Sequence, residues 1–185
     1  DVEFEFPFGV KELEGIAYRT DFDLSQHQKA SGKDMSVFDP KTEEKFIPHV
    51  IECSVGIERT MLAVLCDSYK EEELVDGDKR VVLSISPRIA PIKAAVFPLT
   101  KNENELAEKI YNDLFKGFSV QFDASGSIGK RYRRQDEIGT PICVTVDSNS
   151  INNNTVTVRD RDTMRQEVVN INSLQEYILS KLINC

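Results

Sequence analysis

From Glu12 to Arg19 apolar residues alternate with polar or charged ones, the two-residue period of a strand with one polar face, so Glu12, Glu14 and Arg19 need not share a face. Asp23 to Gly32 opens on a possible helix cap and closes on glycine, which predicts a short helix. Asp39-Pro-Lys-Thr is a turn, and Lys45 to Ser54 is predicted as the strand after it. Between Gly56 and Tyr69 the positions Ile57, Met61, Leu62, Val64, Leu65 and Tyr69 form a broad apolar stripe, the pattern of a core-facing helix. Lys70 to Arg80 is acidic and contains glycine, the composition of a hinge. Val81 to Ile85 is predicted as a short strand, and Pro87 and Pro91 bracket a linker.

Beyond Pro91 strand and helix patterns alternate: strand Lys93 to Pro98, a long helix Asn102 to Lys116, strand Ser119 to Asp123 and a helical stretch Ser127 to Glu137. Strands Cys143 to Val146 and Thr155 to Arg159, separated by a polar hairpin tip at Asn149 to Asn154, precede a last helix, Leu174 to Ile183. Such alternation predicts an α/β unit with a largely parallel or mixed sheet flanked by helices. The expected organisation is therefore residues 1–80, a linker at 81–91, and a self-contained domain at 92–185.

Composition narrows the function classes. Apolar residues make up 40% and charged residues 29%, ordinary globular values, and no apolar run reaches the roughly 18 residues of a membrane-spanning helix. Cys53, Cys66, Cys143 and Cys185 are scattered, with neither a C-x-x-C pair nor histidine at ligand spacing, so they are expected to be idle thiols of a reducing compartment and no metal site is expected. His27 and His49 are expected to be structural. The net charge of −8 argues against indiscriminate nucleic-acid binding, but residues 1–90 hold 19 acidic and 11 basic groups whereas residues 91–185 hold 12 of each. All the excess acid lies in the first half. The opening Asp1 to Pro7 has no initiator methionine or leader pattern and is expected to follow a cut inside a longer protein.

Two stretches carry candidate chemistry. Glu52-Cys-Ser-Val-Gly-Ile-Glu-Arg59 joins a strand to a helix through glycine; Glu52 and Ser54 suit an ammonium group, and Arg59 suits an anionic or planar ligand. Taken bare, it is more often the pattern of a solvated surface arginine or a salt-bridge partner. Lys130, Arg131, Arg133 and Arg134 flank Tyr132; on a helix Lys130, Arg133, Arg134 and Glu137 share a face, while Arg131 points elsewhere.

Gly56-Ile-Glu-Arg59 after an apolar strand resembles motif 3 of class II aminoacyl-tRNA synthetases. The segments Glu12 to Leu24, Ile47 to Ser54, Gly126 to Pro141 and Thr155 to Thr163 are similar, in order, to the glycine-specific branch, over nearly the whole chain. The resemblance implies the end of an antiparallel catalytic core followed by the anticodon-binding domain shared with the histidine, threonine and proline enzymes. It implies ATP with Mg²⁺, glycine and tRNA(Gly) as ligands, a cytoplasmic homodimer, and activation of glycine to an adenylate before transfer to tRNA. Arg59 is then the catalytic arginine, and Glu12, Leu13, Gly56, Ile57, Glu58 and Arg59 border ATP. Arg19, Glu52, Cys53, Ser54, Val55 and Gly56 border glycine.

Lys130, Arg131, Tyr132, Arg133, Arg134, Gln135, Asp136, Arg159 and Arg161 are the implied anticodon contacts, because single-stranded loops are read by stacking and edge hydrogen bonds. Cys53 and Val55 stand where the pattern has proline and a smaller residue, and Val10-Lys11 replaces tryptophan-glycine. Motifs 1 and 2 are expected upstream of Asp1, so the chain alone is expected to be inactive. A second reading, a silent relative like the accessory subunit of mitochondrial DNA polymerase, is disfavoured because Arg19, Glu52, Ser54 and Arg59 are all present. A synthetase for another amino acid is disfavoured by the segment from Glu12 to Leu24.

Overall fold

The computed structural model describes residues 1–74 and 77–183, which form two compact units, one from Asp1 to Cys66 and one from Asp67 onward. In the first, β1 (Val2–Phe6) and β2 (Gly9–Thr20) form an antiparallel hairpin, and β5 (Val50–Val55) pairs antiparallel with the other edge of β2. Gly9, at φ +103°, supplies the left-handed backbone of the hairpin turn. Helix α1 (Phe22–Ser31) ends on Gly32 in the left-handed conformation, whose N–H donates to the Gln28 carbonyl. A small hairpin of β3 (Val37–Asp39) and β4 (Glu44–Phe46) follows, and α2 (Ile57–Ser68) leaves the end of β5.

The strand predicted over Lys45 to Ser54 is in fact two, β4 and β5, interrupted at Ile47-Pro48-His49. Proline lacks the N–H that a continuous ladder needs. The apolar stripe of α2 is largely exposed, Ile57 at 84%, and among the described residues of this unit Phe6 and Ala63 are the buried hydrophobics. Phe4, Phe6 and Phe8 stack in series instead of burying together: Phe6 lies edge-on to Phe4 at 4.8 Å and parallel to Phe8 at 5.1 Å, and Phe8 stays exposed.

The second unit opens with a hairpin, β6 (Tyr69–Glu73) and β7 (Lys79–Leu83), where the composition predicts a hinge. The reason is cross-strand pairing: Glu72 faces Arg80, and their side chains form a 2.9 Å ion pair. A five-stranded mixed sheet then runs in the order β12-β11-β10-β8-β9, with β8 (Ala94–Pro98) parallel to both β9 (Val120–Phe122) and β10 (Ile142–Val146). Strands β11 (Thr155–Asp160) and β12 (Gln166–Asn170) continue it antiparallel.

Helices α3 (Asn104–Phe115) and α6 (Leu174–Ile183) cover one face, burying Ala107, Ile110, Leu114, Leu174, Ile178 and Leu182 against Val96, Val144 and Val158. On the other face α4 (Ile128–Ile138) sets Ile128 and Tyr132 over Ala95, Phe97 and Cys143. The mixed sheet between helices agrees with the predicted fold class. One local expectation fails and one strand is unforeseen. The tip at Asn149 to Asn154 is a short helix, α5 (Ser148–Asn153), because Asp147 and Ser150 form a reciprocal capping box. Strand β12 has no counterpart in the sequence pattern, since Val168 and Val169 are a lone apolar pair among polar neighbours.

Gly139 ends α4 at φ +84°, and a Cβ there would lie 2.7 Å from Ile85 Cγ2 and 2.9 Å from the Leu83 carbonyl. Only glycine allows both the backbone turn and this approach of the segment following β7.

Candidate substrate face and nucleic-acid interface

The first unit gathers its charged residues through two irregularities of β2. Between Val2 and Glu3 the partner on β2 jumps from Glu14 to Glu12, so Leu13 is an extra, bulged residue. Strict alternation would leave Glu12 and Glu14 on one face; the bulge separates them. Glu12 Oε1 accordingly lies 3.4 Å from where a Cβ on Gly15 would stand, on the face shared by Gly15 and Ala17. These two small residues lie directly across from Ser54 and Glu52.

At the other end Tyr18 pairs with Ile51 and Thr20 with Val50, which leaves Arg19 as a second extra residue, with Thr20 at φ +56°. Arg19 Nε reaches Glu52 Oε2 at 3.4 Å. Its Nε and Nη2 also donate to Asp23 at 2.7 and 3.1 Å. The hydrogen bond and charge of Asp23, then the charge of Glu52, raise the Arg19 pKa, and the Arg19 hydrogen bond holds the Asp23 carboxyl below the usual range. Arg59, one turn into α2, donates from Nη1 to the Glu12 carbonyl at 2.7 Å. Glu12, Arg19, Glu52, Ser54 and Arg59, which are spread over nearly 50 positions, are thus placed on and beside one sheet face.

The pleat excludes two of the expected glycine contacts from that face. Cys53 and Val55 pair with Ile16 and Glu14, so they project to the opposite side from Glu52 and Ser54. Leu13 is half-buried in the bulge, Ile57 and Glu58 are exposed, and the Gly56 carbonyl accepts from Thr60 N and Oγ1 at the start of α2.

In the second unit the basic run on α4 divides sharply. Arg131 is buried and donates to the carbonyls of Pro98, Ala124 (3.0 Å) and Gly126 (2.9 Å), tying the loop before α4 to the end of β8. Gln135 is buried between Gln121, at 2.9 Å, and the Thr140 hydroxyl, at 2.6 Å. Asp136, 1% exposed, accepts from Arg80 Nε at 2.9 Å and from Arg159 at 2.9 and 3.2 Å. Arg161 is fully enclosed, bonded to the Gly139 carbonyl and to Asp162.

The expectation that Arg131, Gln135, Asp136, Arg159 and Arg161 contact RNA is therefore corrected. Their hydrogen-bonding groups are turned inward, and freeing them would strand buried charges. Arg80, with no signal in the sequence beyond its charge, is the missing member of this cluster.

What stays at the surface is different. Lys130 and Arg133 are exposed; Arg133 reaches Asp78 at 2.6 Å, and the partly exposed Arg134 reaches Asp123 at 2.5 Å. Beside them α4 covers this face of the sheet as far as Arg159 of β11, and the rest of β11 and β12 is more open. Thr155, Thr157, Gln166 and Val168 of β11 and β12 share that face, and Val168 is 73% exposed. Tyr132 borders this open half. Its ring is held edge-on to Phe97 at 5.4 Å, under the Arg159 guanidinium at 4.8 Å, and its hydroxyl contacts Thr145 Oγ1 at 2.6 Å.

Known proteins resemble the chain along nearly its whole length. Residues 93–181 match the family model described as "Anticodon binding domain". Over 182 residues, 98% of its length, the chain is 59% identical to a glycine–tRNA ligase of Caldanaerobacter subterraneus subsp. tengcongensis. Glycine–tRNA ligases of Lachnospira eligens and Chlorobaculum tepidum are 57% and 54% identical over 98% and 99% of the chain. Along nearly its whole length the chain is thus similar to one part of glycine–tRNA ligases. It spans 39% of the length of each of these relatives. Among solved structures, the RNA binding domain of threonyl-tRNA synthetase from Cryptosporidium parvum Iowa II superimposes with a TM-score of 0.62 at 20% identity, covering 80% of this chain and 35% of that one. That likeness shows the fold.

Among the described residues no helix is long and apolar enough to cross a membrane, and no cluster of three or more His, Cys, Asp or Glu has metal-binding geometry.

Proposed function

We propose that the protein carrying this chain is a glycine–tRNA ligase: it activates glycine with ATP, supplied with Mg²⁺ as a substrate complex, and passes the glycyl group to tRNA(Gly). In the first step the glycine carboxylate attacks the α-phosphorus and pyrophosphate leaves; in the second a ribose hydroxyl at the end of the tRNA attacks the adenylate carbonyl and AMP leaves. The single observation that carries the reading is the convergence of Arg19 and Glu52, at 3.4 Å, on a face floored by Gly15 and Ala17. A cation and a carboxylate side by side match the two ends of a zwitterion, and two small residues keep the backbone between them open.

Arg59 stands beside that face with one donor engaged by the Glu12 carbonyl, and its planar cation is suited to a nucleotide's ring and phosphates. Glu12 offers a carboxylate toward the ATP-bound Mg²⁺. Cytoplasmic location and a homodimer follow from the same family reading.

The second unit binds the anticodon arm in this reading. Lys130, Arg133 and Arg134 meet phosphates, and loop bases lie on the open half of the sheet against Tyr132, Thr157 and Val168. Buried Asp136, Arg159 and Arg161 set the position of Tyr132 and β11 from beneath. Residues 92–185 are the anticodon-binding region, with the hairpin of β6 and β7 as its support; the unit from Asp1 to Cys66 belongs with catalysis.

The test is glycine-dependent ATP–pyrophosphate exchange by the full-length protein and its Arg59→Ala variant. Loss of one charged transition-state contact lowers exchange by about a hundredfold or more, on the order of 3 kcal/mol, while anticodon-arm affinity is unchanged. Exchange within threefold of the parent overturns the assignment of Arg59.

A further inference from the structure

Because Arg19 is the extra residue of a bulge, the pleat does not dictate where its side chain goes. Two carboxylates compete for it. Asp23, in the first turn of α1, takes the Nε–Nη2 edge in a fork, at 2.7 and 3.1 Å, whereas Glu52 on β5 approaches Nε alone at 3.4 Å. A guanidinium edge serves one carboxylate in this two-bond geometry, so whichever acid holds it excludes the other. Among the described residues Arg19 Nη1 donates to no group, and Glu52 accepts no hydrogen bond. Asp23 is also the acidic residue of its helix's first turn, where the helix dipole favours a negative charge.

The geometry points to Asp23 as a positioning residue that holds Arg19 away from a closed pair with Glu52, so that an incoming amino acid meets one free cationic donor and one free carboxylate. This rests on the reading that Arg19 and Glu52 receive the two ends of glycine. Without Asp23, a small rotation of a guanidinium already 3.4 Å from Glu52 closes the Arg19–Glu52 fork. Glycine must then break that pair before binding. The penalty falls on substrate binding, not on the chemistry that follows, and so appears in KM.

The experiment measures KM and kcat for glycine, and KM for ATP, by pyrophosphate exchange in the full-length protein, for Asp23→Asn, Asp23→Glu, Arg19→Gln, Glu52→Gln and Asp23→Asn combined with Arg19→Gln. Asparagine keeps the shape of Asp23 but removes its charge. The expected result is a rise in glycine KM of about tenfold for Asp23→Asn, with kcat within about threefold and ATP KM unchanged. Asp23→Glu recovers most of the loss, and Asp23→Asn adds nothing on the Arg19→Gln background, because Asp23 acts only through that side chain.

If Arg19→Gln and Glu52→Gln raise glycine KM but Asp23→Asn does not, the positioning role is overturned while the substrate face stands. If all three leave it unchanged, the substrate face itself is wrong. A fall in kcat, ATP affinity and melting temperature together for Asp23→Asn shows a purely structural residue and equally overturns the proposal.

Discussion

Asp136 and Arg159 are joined by two hydrogen bonds, of 2.9 and 3.2 Å, and the same carboxylate takes Arg80 Nε at 2.9 Å. One buried anion is therefore shared by two buried cations, one from a hairpin and one from a strand, and Arg80 also reaches Glu72 at 2.9 Å. Removing it leaves both guanidinium groups in a low-dielectric site with less counter-charge, which commonly costs about 3–5 kcal/mol. Asp136→Ala is expected to show a loss of that order in urea unfolding of the chain followed by circular dichroism. Arg133→Ala, which breaks the exposed pair with Asp78, should cost less than about 1 kcal/mol. Equal effects from the two variants would contradict the division of α4 into an inner and an outer face.

The outer face and the open half of the sheet should govern RNA affinity without governing stability. For an anticodon stem-loop, Lys130→Ala, Arg133→Ala and Arg134→Ala together should lower the salt slope of log affinity by about 2, the value for three phosphate contacts on a single strand. Val168→Glu, at a position 73% exposed, should leave the unfolding free energy within about 0.5 kcal/mol yet weaken stem-loop binding about tenfold. Fluorescence anisotropy at two salt concentrations checks both. Unaltered affinity in the glutamate variant would remove the sheet from the interface.

Thiol chemistry offers an independent check of burial. Cys53 is exposed, Cys66 half-buried and Cys143 buried; Cys185 lies outside the described residues. Burial pushes the Cys143 thiol well above its ordinary value, ahead of opposing effects from Arg159 and Arg80, so at neutral pH it is neither ionised nor accessible. Brief iodoacetamide treatment followed by peptide mass mapping should label Cys53 and spare Cys143 until denaturant is added. Early labelling of Cys143 would show that α4 does not close over the sheet.

Acid sensitivity should trace to Asp123 and Asp162. Burial alone would raise both carboxyls, but hydrogen bonds from Arg134 and Ser125 to the first, and from Arg161 and Ser84 to the second, outweigh it and hold both below the usual range. A depressed folded pKa means that the unfolded chain binds more protons. The contribution is therefore complete above the ordinary carboxylate value, about 4, and is lost as pH falls through the folded value. The melting temperature of the chain should change little between neutrality and about pH 5.5 and drop below about pH 4. Asp162→Asn should melt lower at neutral pH and converge with the parent in acid. Parallel curves would assign the acid transition to other groups.

The sequence by itself determined β2 from its alternation, and α3, α6 and the mixed sheet from the alternation of strand and helix patterns after Pro91. It also carried the resemblance to glycine–tRNA ligases, through motifs matched in order along the chain. It did not show the hairpin of β6 and β7, whose acidic strand is held by its pairing with Arg80 and its neighbours, nor the break before β5. It misplaced five of the nine expected RNA contacts, because a guanidinium or carboxylate on a helix has the same local pattern whether it meets water or a partner. Arg80 and Asp136 are 56 positions apart, and only the packing of their elements decides that both are buried together. The candidate substrate face was hidden for a related reason. Alternation assigns side chains to faces only while the register is unbroken, and the extra residues at Leu13 and Arg19, fixed by strand partners distant in sequence, turn Glu12 and Arg19 toward Glu52 and Ser54.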